Sequence, residues 1–430
     1  MRIIFDPIGI MGDFHPKRGV KFAAGSGYDD IMLDYRVYMF YLLNCAIKGK
    51  KPDQPATLEL VCDEADIETC IGMFFERCHA EKISCDVAMA PYHYDPLLSK
   101  QKRNRVNIFT EEIDLYAVKN CISNGICKLV VHPIIYDING EEDIIHNKDF
   151  YLRLSKEAEG SDLKILIANE CKYMNGRYTR GSFSDAEQTV SFIDELNKEA
   201  GCDRFGLCFD IGNANICGFN MLEYIRTAGE HISAVILRDC DGDHNDYLLP
   251  YSSITNSRCN TDWSGVIRGL RAIDYDGDLI VDIHDSVTEV THLLRYDLMS
   301  LSFKTAKYIG WQIRMEHQIR NYSSRVLFGA GNMCRNYMKY YGREMRPLYT
   351  CDNKESLWGR TICGLKIKNP ESLKRLQPDC AIIICNIFYS EIEKQLRDMK
   401  IKNPVVCFSD EYLPEIAPNS LAGSMCDNVK

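Results

Sequence analysis

Long apolar runs are missing from this sequence, and no stretch of eighteen residues is uninterruptedly apolar, which argues against a helix built to cross a bilayer. The start, Met1-Arg2-Ile3-Ile4-Phe5-Asp6-Pro7, has no basic stretch leading into a long apolar one, so no export signal is expected. Excess positive charge is missing as well. The 51 Lys and Arg stand against 61 Asp and Glu, a formal net charge of −10. Nucleic acids and anionic membrane surfaces both reward a basic face, so neither is an expected partner. No Cys-x-x-Cys pair occurs, which argues against a structural zinc site. No Gly-x-Ser-x-Gly turn occurs either, so a nucleophile elbow cannot be argued. Cysteine itself is plentiful, with 20 residues scattered singly, many inside apolar runs such as Leu207-Cys208-Phe209 and Ile384-Cys385-Asn386. They read as reduced, mostly buried thiols, which points to a cytoplasmic location.

A chain of 430 residues is too long for one ordinary domain, and 46% hydrophobic with 26% charged residues supplies an ordinary globular core. Short β-branched runs alternate with longer amphipathic stretches, the pattern of βα units and a parallel sheet. The strand candidates are Arg2–Phe5, Thr57–Cys62, Ser84–Ala88, Lys128–His132, Lys164–Ala168, Phe205–Asp210, Ile232–Arg238 and Asp278–Ile283. Helical patterns lie between them at Tyr28–Ile47, Glu64–Ala80, Glu111–Ser123, Ser184–Ala200, Met221–Ala228 and Trp263–Ile273. Ser184 followed by Glu187 reads as a capping-box start. The fold class is α/β. Residues 1–310 are expected to close into a (β/α)8 TIM barrel, with a doubly wound open sheet as runner-up.

After a helical stretch at Arg295–Asn321 the pattern restarts. Arg325-Val326-Leu327-Phe328 reads as a strand, followed directly by Gly329-Ala330-Gly331-Asn332-Met333-Cys334 and a helix through Tyr341. Further strands are expected near Pro347–Thr350, at Cys380–Cys385 and at Val405–Phe408, with a helix at Ser390–Met399. Residues 322–415 therefore read as a small Rossmann-like α/β domain, and 416–430 as a flexible tail. The glycine turn, with a strand before and a helix after, suits a phosphate on a helix N-terminus. Asp352 follows about twenty residues later, where a ribose-binding acid is expected. Gly329, Gly331 and Asp352 are thus candidate nucleotide-binding residues. Two features oppose that: Cys334 stands where a third glycine belongs, and the unit is short for both halves of a dinucleotide domain. A structural or dimerising role is the rival, and a homo-oligomer is one expectation.

The barrel region carries four more informative stretches: Cys208-Phe209-Asp210-Ile211-Gly212-Asn213, Ile236-Leu237-Arg238-Asp239, Asp246-Tyr247-Leu248-Leu249-Pro250, and Asp274-Tyr275-Asp276-Gly277 leading into a last strand. In order and spacing these resemble the xylose-isomerase-like sugar phosphate isomerase/epimerase superfamily. The resemblance implies a barrel whose metal site takes Glu from strand five, Asp from six, His from seven and Glu from eight. At those positions this sequence has Ala168, Asp210, Ile236 and Asp282, so the usual site is largely lost. Asn213 and Tyr247 stand where two further histidines belong. No cofactor is therefore expected, although a displaced divalent-metal site from Glu170, Asp210, Asp246, Asp282 and His132 stays open.

Glu170 lies two residues beyond Ala168, hence on the same side of the strand, about 6–7 Å further up. Asp282 and His284 share a face by the same argument, and His132 ends strand four. Basic residues gather in two loops: His93, Lys100, Lys102, Arg103 and Arg105 after strand three, and Arg177 and Arg180 after strand five. Converging at one mouth, they would suit a phosphorylated or carboxylated ligand. Glu170 and Asp282 are the candidate catalytic acid and base. His132, Arg177, Arg180, Asp210, Arg238 and Asp246 are the candidate ligand-binding residues. The implied function is a divergent isomerase/epimerase-type protein binding a sugar or sugar phosphate. A non-catalytic carbohydrate sensor or scaffold is the alternative, and an oxidoreductase with a nicotinamide cofactor in the second domain is a third.

Overall fold

Eight short aliphatic runs make the strands of a closed, all-parallel barrel: β1 (Ile3–Phe5), β2 (Asp30–Asp34), β3 (Ser84–Met89), β4 (Lys128–Val131), β5 (Lys164–Ala168), β6 (Phe205–Asp210), β7 (Ile232–Leu237) and β8 (Asp278–Val281). Sequence neighbours are also neighbours in the ring, and β1 closes it against β8 through Ile3↔Leu279, Ile4↔Ile280 and Phe5↔Val281. The structure is a computed structural model that describes residues 1–11, 16–38, 58–60, 63–65, 67–92, 98–136, 140–253 and 260–414. His93 and the expected tail at 416–430 lie outside the described residues.

One strand differs from expectation. Where the pattern predicts a helix over Tyr28–Ile47, the chain forms β2 and then a 3-10 turn, Tyr35–Tyr38, with 39–57 outside the described residues. The run expected as strand two contributes Leu58–Leu60, which pairs antiparallel with Asp63–Ala65 away from the barrel. The reason is burial. Ile31, Met32 and Leu33 are all buried, and a strand covered on both faces shows no period-two alternation to betray it. A smaller correction concerns the helix Ala186–Ala200. Its N-cap is Asp185, which accepts from the Gln188 N–H, while the Ser184 hydroxyl donates to the Glu170 carbonyl.

The barrel interior is layered. Its middle is apolar: Ile4, Met32, Met89, Val130, Ala168, Cys208, Ile236 and Ile280 belong to one buried cluster. Below it, at the N-terminal ends of the strands, lies an ionic layer. Arg2 contacts Asp278 at 2.9 Å and Asp86 at 2.6 Å, and Lys128 reaches Asp278 at 2.7 Å. Burial would raise the Asp278 carboxyl, but Arg2 and Lys128 hold it below its ordinary value. Above the apolar layer, two residues further along each strand, come Asp6, Asp34, His132, Glu170, Asp210, Arg238 and Asp282. Period two thus places seven polar side chains in one layer at the C-terminal mouth.

The chain forms two compact units, Met1–Gly269 with Tyr275–Tyr308, and Leu270–Asp274 with Ile309–Lys430. The second holds a mixed six-stranded sheet of β9 (Arg325–Phe328), β10 (Thr350–Cys351), β11 (Thr361–Ile362), β12 (Leu365–Lys368), β13 (Ala381–Ile384) and β14 (Val405–Cys407). Their order is β11-β12-β10-β9-β13-β14, parallel except for the β11–β12 hairpin. Leu327 faces one apolar cluster and Val326 with Phe328 the other, so the sheet is covered on both sides. Gly329 follows β9 at φ +121, and a Cβ there would lie 2.5 Å from the Cys385 carbonyl oxygen, so only glycine fits.

Candidate functional site

Two arginines organise the barrel mouth. Arg238 follows β7 directly and is wholly buried. Its Nε donates to both Asp210 oxygens at 2.8 and 3.0 Å, and Nη1 donates to the Asp246 carbonyl at 2.7 Å. Nη2 donates to Asn213 Oδ1 at 2.7 Å and Asn245 Oδ1 at 2.8 Å. The guanidinium also lies 4.0 Å from the centre of the Tyr247 ring. Burial disfavours its charge, yet Asp210 outweighs that and holds Arg238 above the usual arginine range.

Arg36 stands on the turn after β2. Its Nη2 touches Asp6, approaches Asp34 Oδ2 at 3.0 Å and reaches Asp282 Oδ2 at 3.2 Å. One guanidinium therefore bridges the ends of β1, β2 and β8. The carboxylates around it are driven apart. Burial, with repulsion from Asp282 and Asp34, pushes Asp6 well above its ordinary value despite Arg36. Asp282 is equally buried, but His284 and Arg36 overcome the desolvation and hold it below its ordinary value. The two carboxyls are thus shifted in opposite directions, Asp6 upward and Asp282 downward.

Two histidines complete the mouth. His132 Nδ1 lies 2.8 Å from Glu170 Oε2, and Glu170 Oε1 accepts from the Cys171 N–H at 3.1 Å. Tyr92 stacks on the His132 ring at 4.5 Å. His284 Nδ1 lies 2.8 Å from Asp282 Oδ1, and its ring packs 4.1 Å from that of Tyr247. Each imidazole is thus oriented by a carboxylate from the end of a barrel strand.

The structure brings together His132, Glu170, Asp210, Arg238 and Asp282. It separates the rest. Arg177 and Arg180 lie on a hairpin, Cys171–Met174 against Arg177–Arg180. Arg180 donates to the Cys217 carbonyl at 3.0 Å and lies over the Phe219 ring, while Arg177 is exposed. The carboxylate of Asp246 belongs to a surface loop, where one ligand atom each from Asp241, His244 and Asp246 fall within 4.8 Å of one another. Lys100, Lys102, Arg103 and Arg105 lie on the first turns of the helix Lys100–Ser123, not in a loop. In the second unit Gly331 is the N-cap of the helix Asn332–Tyr340. Asp352 there accepts from the Ala330 N–H and the Lys354 N–H, both at 2.8 Å, so its two oxygens brace the glycine turn.

Sequence reasoning missed Asp6, Asp34 and Arg36. The signal was present in part: Asp6 stands two residues after Ile4, and Asp34 closes the run Asp30-Ile31-Met32-Leu33-Asp34. Arg36, beyond a strand read as helix, gave none.

No curated protein sequence matches this chain. Residues 321–406, inside the second unit, match the family described as C2185-like, N-terminal. Among solved structures, a D-tagatose 3-epimerase-like protein is 16% identical with a TM-score of 0.51, covering 74% of this chain and 99% of its own. L-ribulose 3-epimerase is 14% identical with a TM-score of 0.50, covering 74% and 97%. D-allulose 3-epimerase from Methylomonas sp. is 14% identical with a TM-score of 0.50, covering 72% and 98%. The fold is a (β/α)8 TIM barrel like that of these proteins. At these identities the likeness speaks for fold alone. This barrel carries Ala168 and Ile236 in its apolar middle layer, with the Arg238 guanidinium against Asp210 and that of Arg36 against Asp282. Among the described residues no helix is long and apolar enough to cross a membrane.

Proposed function

We propose that the barrel mouth binds a sugar or sugar phosphate and moves a proton next to its carbonyl group, with Glu170 and Asp282 anchoring the acid–base machinery. One observation carries this reading: the C-terminal layer holds two carboxylate–imidazole pairs, His132–Glu170 and His284–Asp282, at the end of the barrel where such folds do their chemistry. The proteins that share the fold support the ligand class, since two of those named above are D-allulose 3-epimerase and L-ribulose 3-epimerase.

The residues do not fit the divalent ion that such a fold usually holds. Ala168 and Ile236 offer no ligand atom. Asp210 already accepts twice from Arg238, and Asp282 accepts from His284 and Arg36. Two protein cations take the place a metal would fill. A binding protein without turnover is the second reading, favoured by how completely Arg36 and Arg238 are engaged.

Thermal-shift titration and calorimetry with D-tagatose, D-allulose, L-ribulose and their phosphates test the reading, since a ligand that binds only the folded state raises Tm. A saturable rise is expected, with no stoichiometric metal after dialysis. Failure of every sugar to bind would remove the carbohydrate reading. Manganese, zinc or magnesium that survives dialysis and is lost in Asp210→Ala would restore the metal.

A further inference from the structure

We propose that the second unit binds a small organic anion, a carboxylate or phosphate ester on a compact apolar body, in a cavity beside the amino ends of its strands. The cavity is lined from that unit alone, so the inference stands apart from the reading of the barrel mouth.

The cavity exists because one crossover is short. From β12 to β13 the chain must pass over a face of the sheet, and parallel strands are usually joined that way by an α-helix. Here the passage is made on a six-residue 3-10 turn, Pro370–Arg375. Asn369 caps the turn by accepting from the Ser372 N–H at 3.2 Å. Leu376 is already extended, and Pro378 cannot continue a helix. At about 2 Å per residue the turn spans only about 12 Å. It sets Leu373 onto the sheet and leaves a cavity of about 350 Å³ beside Ser324, Tyr349 and Cys380, which directly precede β9, β10 and β13. The glycine turn follows β9, at the opposite end. A doubly wound sheet takes its nucleotide at that other end, so this is a different place.

The charges lining the cavity have one sign. Ile367 faces one apolar cluster of the sheet, so Lys368 turns to the other, where its Nζ lies 3.8 Å from the centre of the Tyr349 ring. Arg375, last in the 3-10 turn, lines the same space. No Asp or Glu lines it, and among the described residues neither cation has a carboxylate partner. Glu371, on the same turn, is taken by Lys374 at 2.8 Å. In a chain of net charge −10, two like charges facing one space repel until an anion enters it.

The remaining lining sets the rest of the ligand. Ser324 and Gln377 add neutral hydrogen-bonding groups, while Tyr349 and Cys380 are apolar and buried and Leu348 stands 65% exposed. An anionic head therefore has to carry an apolar body. At about 30 Å³ per water-sized group the space takes roughly a dozen non-hydrogen atoms. A nucleotide is too large for it, and a bare phosphate leaves the apolar lining uncovered.

Calorimetric titration of the full-length protein with phenyl phosphate, benzoate, benzyl alcohol and inorganic phosphate tests this. Saturable binding of phenyl phosphate and benzoate is expected, with benzyl alcohol and inorganic phosphate each at least about 10-fold weaker. Lys368→Met and Arg375→Gln should each weaken phenyl phosphate at least about 10-fold, with wild-type-like melting as the check on folding. Gln377→Glu puts a carboxylate into the same cavity. It should abolish binding while Tm stays level or rises, which separates competition from unfolding. Sugar binding in the barrel unit should be the same in all three variants, and failure of sugars to bind the wild type would touch the barrel reading alone. No saturable binding of either organic anion would overturn the proposal. So would anion binding that survives all three substitutions, or benzyl alcohol binding as tightly as benzoate.

Discussion

Gly212 is the floor on which Arg238 rests: a Cβ at residue 212 would sit 2.4 Å from the guanidinium carbon. The glycine is required by close approach, not by backbone conformation. Gly212→Ala should push Arg238 off Asp210 and leave a buried carboxylate without its partner. The expected cost is about 3 kcal/mol, the range for breaking a buried ion pair. Urea unfolding of the variant beside Asp210→Asn measures it. A loss under about 0.5 kcal/mol would show that Arg238 has another place to go.

Arg36 neutralises three carboxylates that are almost wholly out of solvent. Arg36→Met keeps much of the side-chain volume and removes the charge. At neutral pH the loss should be about 3–5 kcal/mol. Arg36 pulls the Asp6 and Asp282 carboxyls down, so without it both must rise, and stability carried by a raised carboxyl is present at low pH and lost as pH increases. The gap between variant and wild type should therefore narrow as pH falls toward about 4. A gap independent of pH would assign the loss to packing.

Asp114 is a different kind of buried acid. On the helix Lys100–Ser123 it is 1% exposed, and among the described residues neither oxygen has a hydrogen-bond partner. Burial, aided by Glu111, holds its carboxyl well above the ordinary value. The protonated form is thus the one the fold accepts, and stability is lost as pH rises through the folded-state value. Asp114→Asn should be more stable than wild type at pH 7, by about 1–3 kcal/mol, with the advantage shrinking toward about pH 4. Chemical denaturation at several pH values reads the crossover.

In the second unit two glycines of one turn should behave oppositely. Gly329→Ala meets both a left-handed backbone and the Cys385 carbonyl, and should destabilise that unit by about 1–3 kcal/mol. Gly331→Val meets nothing within 4 Å and should fold normally. Because Asp352 already spends both oxygens on the turn, adenine nucleotides, nicotinamide cofactors and nucleotide-sugars are expected to leave Tm unchanged. A rise that Gly331→Val abolishes would revive the oxidoreductase reading.

The barrel was legible because seven of its strands are aliphatic runs bounded by turn residues, and their ends carry the Asp210, Arg238 and Asp282 stretches. β2 was not. Its apolar centre is too short to show a period, and Tyr35-Arg36-Val37-Tyr38 extends it into an apparently helical pattern. That one misreading hid half the mouth, since Asp34 and Arg36 come with β2 and explain the state of Asp6. Glu170 and His132 were both legible as candidates at adjacent strand ends, but their pairing emerged only from the structure. The occupation of Asp282 by Arg36, 246 residues away in the chain, could not follow from local pattern. The arginines after β5 show the opposite error: Arg180 is a hairpin fastening, and charge in a loop says nothing about where the loop leans.

The ring closes where β1 meets β8, and Arg2 fastens that seam to Asp278 from below. During synthesis the first strand therefore waits for a neighbour made some 276 residues later, while its other neighbour, β2, is at hand almost at once. Until β8 leaves the ribosome, β1 is an open edge with unpaired backbone groups, and the carboxyl of Asp6 stands beside an unfinished wall. Roughly 15–55 seconds of exposure, at about 5–20 residues per second, is a window for mispairing. A chain stalled before Asp278 should bind chaperones and resist proteases poorly, and one released beyond Tyr308, where the barrel unit ends, should do neither.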